Sequence, residues 1–482
     1  MSLKRKALSG LVWTYGQQFS TQLINFVINL VLARILFPSD FGTISLLTVF
    51  ISISNVIIGG GLTSSLIRKK DANKDDYNTV FIFNIVTALL MYTLIFSVSP
   101  LIENFYKADQ LSLVLRVYSI CLIISSFGIV QRGILIKQLN FKKETLITLP
   151  SIIISGVVGV IMAYTDFGVW SLVWSAIIKN AINVLQLWLY SDWKPNFRFH
   201  KEKFSFHFQF GYKYTSIEII RTVFTNIYPM ILGRGFSLKE VGLFKQADVL
   251  RLLPYSNIVS SVNRVAFPLY VEVQDDPVRL KSLHGKLTLI LFTILCPVFI
   301  YMAILSEDIL ILFFSKKWIE AAPFLSILSF GSLLSVINFN NLNVLSAKGK
   351  VNLILRIEII DKVIFLLLVA ICLYFKLGII MLLLAEIVRG VISAILKEFF
   401  CSKELGTPFG MQLLGLLFPF VATLISGFIV FYCHKILAEN TSLYFIRVAV
   451  PVLVGLFIYL ISIWLFRRSL IKDAVNIITK KA

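Results

Sequence analysis

Hydrophobic stretches long enough to cross a bilayer as a helix, about 20 residues each, recur along the whole chain. They lie near 11–36, 41–67, 78–102, 111–136, 145–165, 168–191, 207–233, 244–270, 283–305, 321–346, 351–375, 378–400, 411–437 and 442–466. The pattern predicts an all-α polytopic membrane protein with about 14 transmembrane helices. Segment 306–320, SEDILILFFSKKWIE, is too short and too charged at its ends to span, and is expected to be interfacial. The first stretch departs from a plain apolar run. At helical periodicity Thr14, Gln18, Gln22, Asn25 and Asn29 fall within about 80° of one another. Such a stripe in a membrane helix should face water or a polar partner rather than lipid, and helix–helix hydrogen bonding is the structural alternative.

The second half repeats this arrangement. At a shift of 200 positions, LARILFPSDFG (32–42) overlies LGRGFSLKEVG (232–242), with Leu32/Leu232, Arg34/Arg234 and Gly42/Gly242 identical and Asp40 opposite Glu240. In the same register Thr14, Gln18, Gln22 and Asn25 overlie Tyr214, Glu218, Thr222 and Thr225. Stripe and turn agreeing in one register indicates an internal duplication, and two related bundles meeting at polar helices suggest a transporter. The expected organisation is a six-helix lobe at 1–191, a basic and aromatic cytoplasmic linker at 192–206, a second six-helix lobe at 207–402, and an added helix pair with a basic tail at 403–482.

Composition supports the class. The chain is 57% hydrophobic and 15% charged, with mean hydropathy +0.84, too apolar for a soluble protein. Its net charge of +20 could suggest nucleic acid. The placement of the charge argues otherwise. With the N-terminus inside, Lys and Arg concentrate in the inner segments, such as Lys4–Lys6, Arg68–Lys74 and Lys194–Lys203. Few fall in outer loops, where Lys107, Lys376 and Lys435 are examples. The positive-inside rule therefore predicts both termini in the cytoplasm and the first stretch retained as a span. The five cysteines form no CxxC, the four histidines are dispersed, and neither GxxxxGK[ST] nor HExxH occurs. No metal, no bound cofactor and no catalytic residue is expected.

The chemistry that remains is charge within the spans, costly at roughly 2.5–3.5 kcal/mol per residue. Lys179 lies mid-span with no acidic residue within a helical turn, and Asn183 and Gln186 follow on its face. Lys213, Arg221 and Arg251 are further cationic candidates, with Gln18, Gln22, Asn25 and Thr225 as polar partners for substrate. Glu218, Asp248 and Asp361 are candidates for carrying a coupling ion. Arg116 and Arg132 sit towards opposite ends of one span. Glu218–Arg221, Glu386–Arg389 and Glu358–Lys362 have the spacing of neutralised structural pairs. A cationic surplus suits an anionic substrate such as a phosphate.

Several stretches are similar to one family. LARILFPSDFG (32–42), GGGLTSSLIRKKD (59–71), YNTVFIFN (77–84), FGVWSLV (167–173), WKPNFRF (193–199), VGLFKQADVLRLLP (241–254), RVAFPLYVEVQDD (264–276) and SKKWIEAAPFLSILS (315–329) resemble, in order, the Wzx-type polysaccharide and O-antigen flippases. The likeness covers about residues 8–350, and the colanic-acid exporter-like branch is the nearest. The resemblance implies the multidrug/oligosaccharidyl-lipid/polysaccharide exporter fold, two pseudo-symmetric six-helix lobes forming a V around a central cavity. It implies flipping of undecaprenyl-diphosphate-linked oligosaccharide across the bacterial inner membrane by alternating access driven by an H⁺ or Na⁺ gradient. Partners would be that lipid, membrane lipid and polysaccharide polymerase or assembly machinery. Rivals are a drug or peptidoglycan-precursor exporter of the same fold and, from another class, a membrane polysaccharide polymerase. The short loops argue against the polymerase, and the basic surplus argues against a cationic-drug carrier.

Overall fold

The structure is a computed structural model of the chain and describes residues 3–467, without the side chains of 3–12, 14, 15, 60, 264 and 265. Lys4, Arg5, Lys6, Thr14, Arg264 and the basic tail from Arg468 therefore lie outside the described residues. Among the described residues the regular structure is helical. In order come α1 (Leu3–Ile35), α2 (Pro38–Asn55), a π-helical turn (Val56–Gly60), α3 (Gly61–Arg68), α4 (Lys74–Tyr106), α5 (Leu111–Tyr118), α6 (Ile120–Ser126), α7 (Ile129–Lys137), α8 (Phe141–Tyr164) and α9 (Val169–Tyr190). Then follow α10 (Lys201–Thr225), α11 (Ile227–Gly235), α12 (Leu238–Glu272), α13 (Pro277–Ile304), α14 (Ser306–Phe313), a 3₁₀ turn (Lys316–Ala321), α15 (Ala322–Ala347), α16 (Val351–Tyr374), α17 (Gly378–Leu405), α18 (Met411–Asn440) and α19 (Tyr444–Phe466). Packing divides the chain into two compact units, Met1–Lys245 and Gln246–Ala482.

Among the described residues, nine helical segments are long and apolar enough to cross a membrane, or ten if α5–α7, bent by 45°, is one span. Helices also occupy the other four expected positions, as α1, α10 with α11, α12 and α16. These are the helices carrying the polar stripe and many of the charges. The short α14 and the 3₁₀ turn occupy 306–321, with Trp318 fully buried, and the 3₁₀ turn runs on into the candidate span Lys316–Ala347.

In hydrocarbon, burying apolar area does little to hold helices together, so close packing and hydrogen bonds must do it. In the first unit α8 presents small residues to both neighbours. A Cβ on Gly159 would lie 2.9 Å from Ser175 of α9, and one on Gly156 would lie 2.2 Å from Ile28 of α1. Ser175 donates to the Ser155 carbonyl at 2.9 Å, and Gln17 bridges Thr145 (3.3 Å) and Thr148 (3.5 Å). Gln17, beside the polar stripe of α1, thus serves helix–helix hydrogen bonding. Phe19, Leu23 and Val27 form an exposed ridge suited to lipid. In the second unit the Tyr301 hydroxyl donates to Ser426 at 2.7 Å, and Tyr459 donates to the Thr293 carbonyl at 2.9 Å. They tie α13 to α18 and α19.

The linker folds back onto the start of α4. Trp193 is buried, edge-on to Phe81 at 5.6 Å, and the backbone N–H groups of Asn196 and His200 donate to Asn78 (3.0 Å) and Thr79 (3.3 Å). Trp193 is thus a packing group, whereas Phe197 and Phe199 remain exposed.

The duplicated turns meet within the first unit. Asp40 accepts from the Phe37 N–H, and Glu240 accepts from the Ser237 N–H, both at 2.9 Å. The two acids therefore cap α2 and α12 in the same way. A Cβ on Gly42 would fall 1.8 Å from the Leu238 carbonyl oxygen, and one on Gly242 would fall 1.7 Å from that of Pro38. Pro38 and Leu238 are themselves equivalent in the repeat, so the contact is reciprocal. α3 crosses α10 just as closely, where a Cβ on Gly61 would lie 2.0 Å from the Gly211 carbonyl oxygen. A turn further on, buried His207 bridges Ser65 (2.9 Å) and Asp76 (3.1 Å), and Asp76 also accepts from Lys69 at 2.8 Å. Desolvation acts to lower the Lys69 pKa, but the hydrogen bond and charge of Asp76 outweigh it and raise the value.

Candidate cationic cavity

The irregular backbone of the first unit is concentrated around one cavity. The α5–α7 strand of helices breaks at Ser119 and Gly128, and the π-helical turn interrupts α2–α3 where the chain reads GGG at 59–61. Ser119, Ser125 and Ser126 donate to carbonyls three residues back, which loosens the helical ladder there. Gly59 lies against Ile129, where a Cβ would come within 2.9 Å, so both breaks sit side by side. At membrane depth such backbone is tolerated where protein buries it or a cavity meets it.

That cavity has a volume of about 590 Å³. Its polar lining includes Ser52, Asn55, Tyr118, Arg132, Asn180 and Asn183, from α2, α5, α7 and α9, and no carboxylate lines it among the described residues. The exposed Arg132 donates to the Asn183 amide oxygen at 2.6 Å and forms no ion pair among the described residues. Lys179, half-buried one residue before lining Asn180, likewise has no ion pair among the described residues and feels the charge of Arg132. Arg132 thus lines the cavity among amides and hydroxyls, with Lys179 near it and its charge also reaching Glu144 of α8.

The other expected residues are not brought to this pocket. Lys213 is exposed on α10, Thr225 is exposed with its hydroxyl donating to the Arg221 carbonyl, and Arg221 pairs with Glu218 at 3.7 Å. On α1, Gln18 is exposed while Gln22 and Asn25 are half-buried. Arg251 belongs to the second unit, where it donates to Asp248 at 3.1 Å and to Ser332 at 3.3 Å. Asp361, 2% exposed, accepts from Arg389 at 2.6 Å, and Arg389 also holds Glu386 at 2.7 Å. Lys362 lies 3.4 Å from Asp361, and Glu358 pairs with Lys397 at 3.1 Å rather than with Lys362. All three ion-coupling candidates are thus engaged by cations. Sequence reasoning placed Arg132 at a span end without assigning it a role. Asn183 sits on the face already read with Lys179, and that was the available signal. Arg116, at the other end of the same expected span, is instead held by Ser99 (2.8 Å) and stacks on Phe96 (4.2 Å).

A multi-pass helical bundle with a cationic cavity beside broken helices has the architecture of a membrane transporter. The chain belongs to the polysaccharide biosynthesis protein family, whose model matches residues 31–323. It is 24% identical to the teichuronic acid biosynthesis protein TuaB of Bacillus subtilis (strain 168), over 73% of each chain. It is also 24% identical to the lipopolysaccharide biosynthesis protein WzxC of Escherichia coli (strain K12), over 88% of this chain and 87% of that one. The fold resembles that of the lipid II flippase MurJ in its inward closed conformation, with TM-score 0.76, 16% identity and coverage of 96% of this chain and all of the other.

Proposed function

We propose that the protein flips an undecaprenyl-diphosphate-linked oligosaccharide from the inner to the outer leaflet of the bacterial plasma membrane during surface polysaccharide synthesis. The observation that carries this reading is Arg132, which lines a cavity whose described lining residues include no carboxylate and which lies near Lys179, in a chain of this family. A diphosphate presents paired anionic oxygens that the planar guanidinium fork can bind bidentately. The amides and hydroxyls around it suit the first sugars. The bilayer would take the polyprenyl tail.

The wider architecture belongs to the same proposal. The charged helices α10, α12 and α16 cross the membrane together with α1, giving about 14 spans with both termini in the cytoplasm. The repeat-related bundles form two lobes that alternate in access, driven by an ion gradient, and deliver product to the polysaccharide polymerase. The duplicated, identically capped turns support a two-lobe origin.

Complementation of a deletion strain tests the cavity. Arg132→Ala and Lys179→Ala should each abolish surface polysaccharide while the protein remains in the membrane at normal level. Undiminished polysaccharide in both variants would remove this cavity from the substrate path.

A further inference from the structure

The inner packing of the second unit contains a carboxylate that no cation among the described residues pairs with. Glu398 of α17 is 1% exposed. One of its oxygens accepts from the Asn341 amide of α15 at 3.1 Å, and the other has no hydrogen-bond partner among the described residues. The neighbouring cations are committed elsewhere. Lys397 holds Glu358 at 3.1 Å, and Lys348 and Lys350 hold Glu404 at 3.8 and 2.9 Å.

Around Glu398 lies a patch of equally unsatisfied neutral groups. His284 of α13 is fully buried beside Asn341 and Gln412, and its ring touches the Cys401 sulfur at 3.9 Å. Tyr270 of α12 lies over His284, with ring centroids 6.3 Å apart. The Nδ1 of His284, the Tyr270 hydroxyl and both polar atoms of the Gln412 side chain have no partner among the described residues. These groups, with Cys401 and the Lys397–Glu358 and Lys348–Glu404 pairs, are the titratable and charged surroundings of Glu398.

An ionised carboxylate in such a place costs several kcal/mol even after relaxation, and proteins avoid it by pairing the charge or neutralising it. Pairing is not offered here. A bound proton makes the group neutral and removes that cost.

We propose that Glu398 is a proton-binding site, carrying a proton while its pocket is closed to water and returning it to solvent when the pocket is wetted. The balance is simple: a carboxylate takes one proton from water on closing and gives it back on opening. A group whose charge is tolerated only in the wetted state biases the packing of α13, α15 and α17, which is what coupling a proton gradient to a rearrangement requires. The coupling role rests on the transporter reading above, but the protonation itself does not.

The test is infrared difference spectroscopy of the full chain in phosphatidylethanolamine–phosphatidylglycerol vesicles, titrated with alkali in sodium-free potassium buffer. The wild type should show the carbonyl band of a buried protonated carboxyl. Glu398→Gln should remove it, and Glu398→Asp should displace it. Should the Gln variant not fold, the Asp variant and the wild-type titration still decide. A spectrum in which neither substitution alters any protonated-carboxyl band would overturn the proposal. So would a band that sodium chloride abolishes at constant pH, because the site would then hold Na⁺. An unchanged lipid pool in a deletion strain would refute the flipping reading and leave this spectrum untouched.

Discussion

The reciprocal glycine contact between the duplicated turns gives a sharp test of how the first unit is built. In Gly242→Ala the new methyl would start 1.7 Å from the Pro38 carbonyl oxygen, and in Gly42→Ala 1.8 Å from that of Leu238. Real Cβ atoms essentially never come within 3.0 Å, so each substitution forces the turns apart by more than an ångström. Both obstacles are backbone, so no side-chain rotation relieves them. Forced overpacking of this kind costs about 1–3 kcal/mol. The two substitutions act on one contact. Once the turns have separated for the first methyl, the second should add little, and a double-mutant cycle should show strong non-additivity. The assay is the apparent Tm of purified protein in detergent, followed by loss of the monodisperse size-exclusion peak. Controls are Gly285→Ala and Gly415→Ala, where nothing lies within 4 Å. There the change should be neutral or mildly stabilising through helix propensity, by up to about 1 kcal/mol. Single variants at 42 and 242 that melt with the controls, or a double variant whose loss is the simple sum, would refute the reciprocal contact.

Arg132→Lys keeps the charge but loses the fork, so export should fall less than in Arg132→Ala but remain below wild type, read as surface polysaccharide in complemented cells. Arg116→Ala, which removes contacts to Ser99 and Phe96 only, should leave export within a few-fold of wild type in the same cells. Arg389→Ala should destabilise the second unit by up to about 3 kcal/mol, because it leaves the buried Asp361 charge with only the longer Lys362 contact at 3.4 Å. The added change Asp361→Asn should recover much of the lost Tm, and no recovery would mean that the ion pair is not what Arg389 contributes.

Hydropathy period and length located the helices because the bilayer imposes both. The turn register was legible too, since Asp40 and Glu240 each cap the helix that follows within the same short stretch. The site was legible only in part. Lys179 stood out because nothing acidic lay within a helical turn of it. Arg132 did not, because its meaning depends on Asn183, 51 positions away, and on a helix break at Gly128 that hydropathy does not register. Spacing along one helix found Glu386–Arg389 but not the Asp361 that α16 adds to it. It paired Glu358 with Lys362, whereas packing of α16 on α17 gave Glu358 to Lys397. The burial of Trp193 against α4 is a tertiary fact that the aromatic composition of 192–206 does not register.

The most direct test of flipping is the lipid pool of cells lacking this protein, extracted and analysed by mass spectrometry. Accumulation of a complete undecaprenyl-diphosphate oligosaccharide, with surface polysaccharide lost, is the expected result and would identify the repeat unit. Accumulation of truncated lipid-linked sugars, or an unchanged pool, would contradict it.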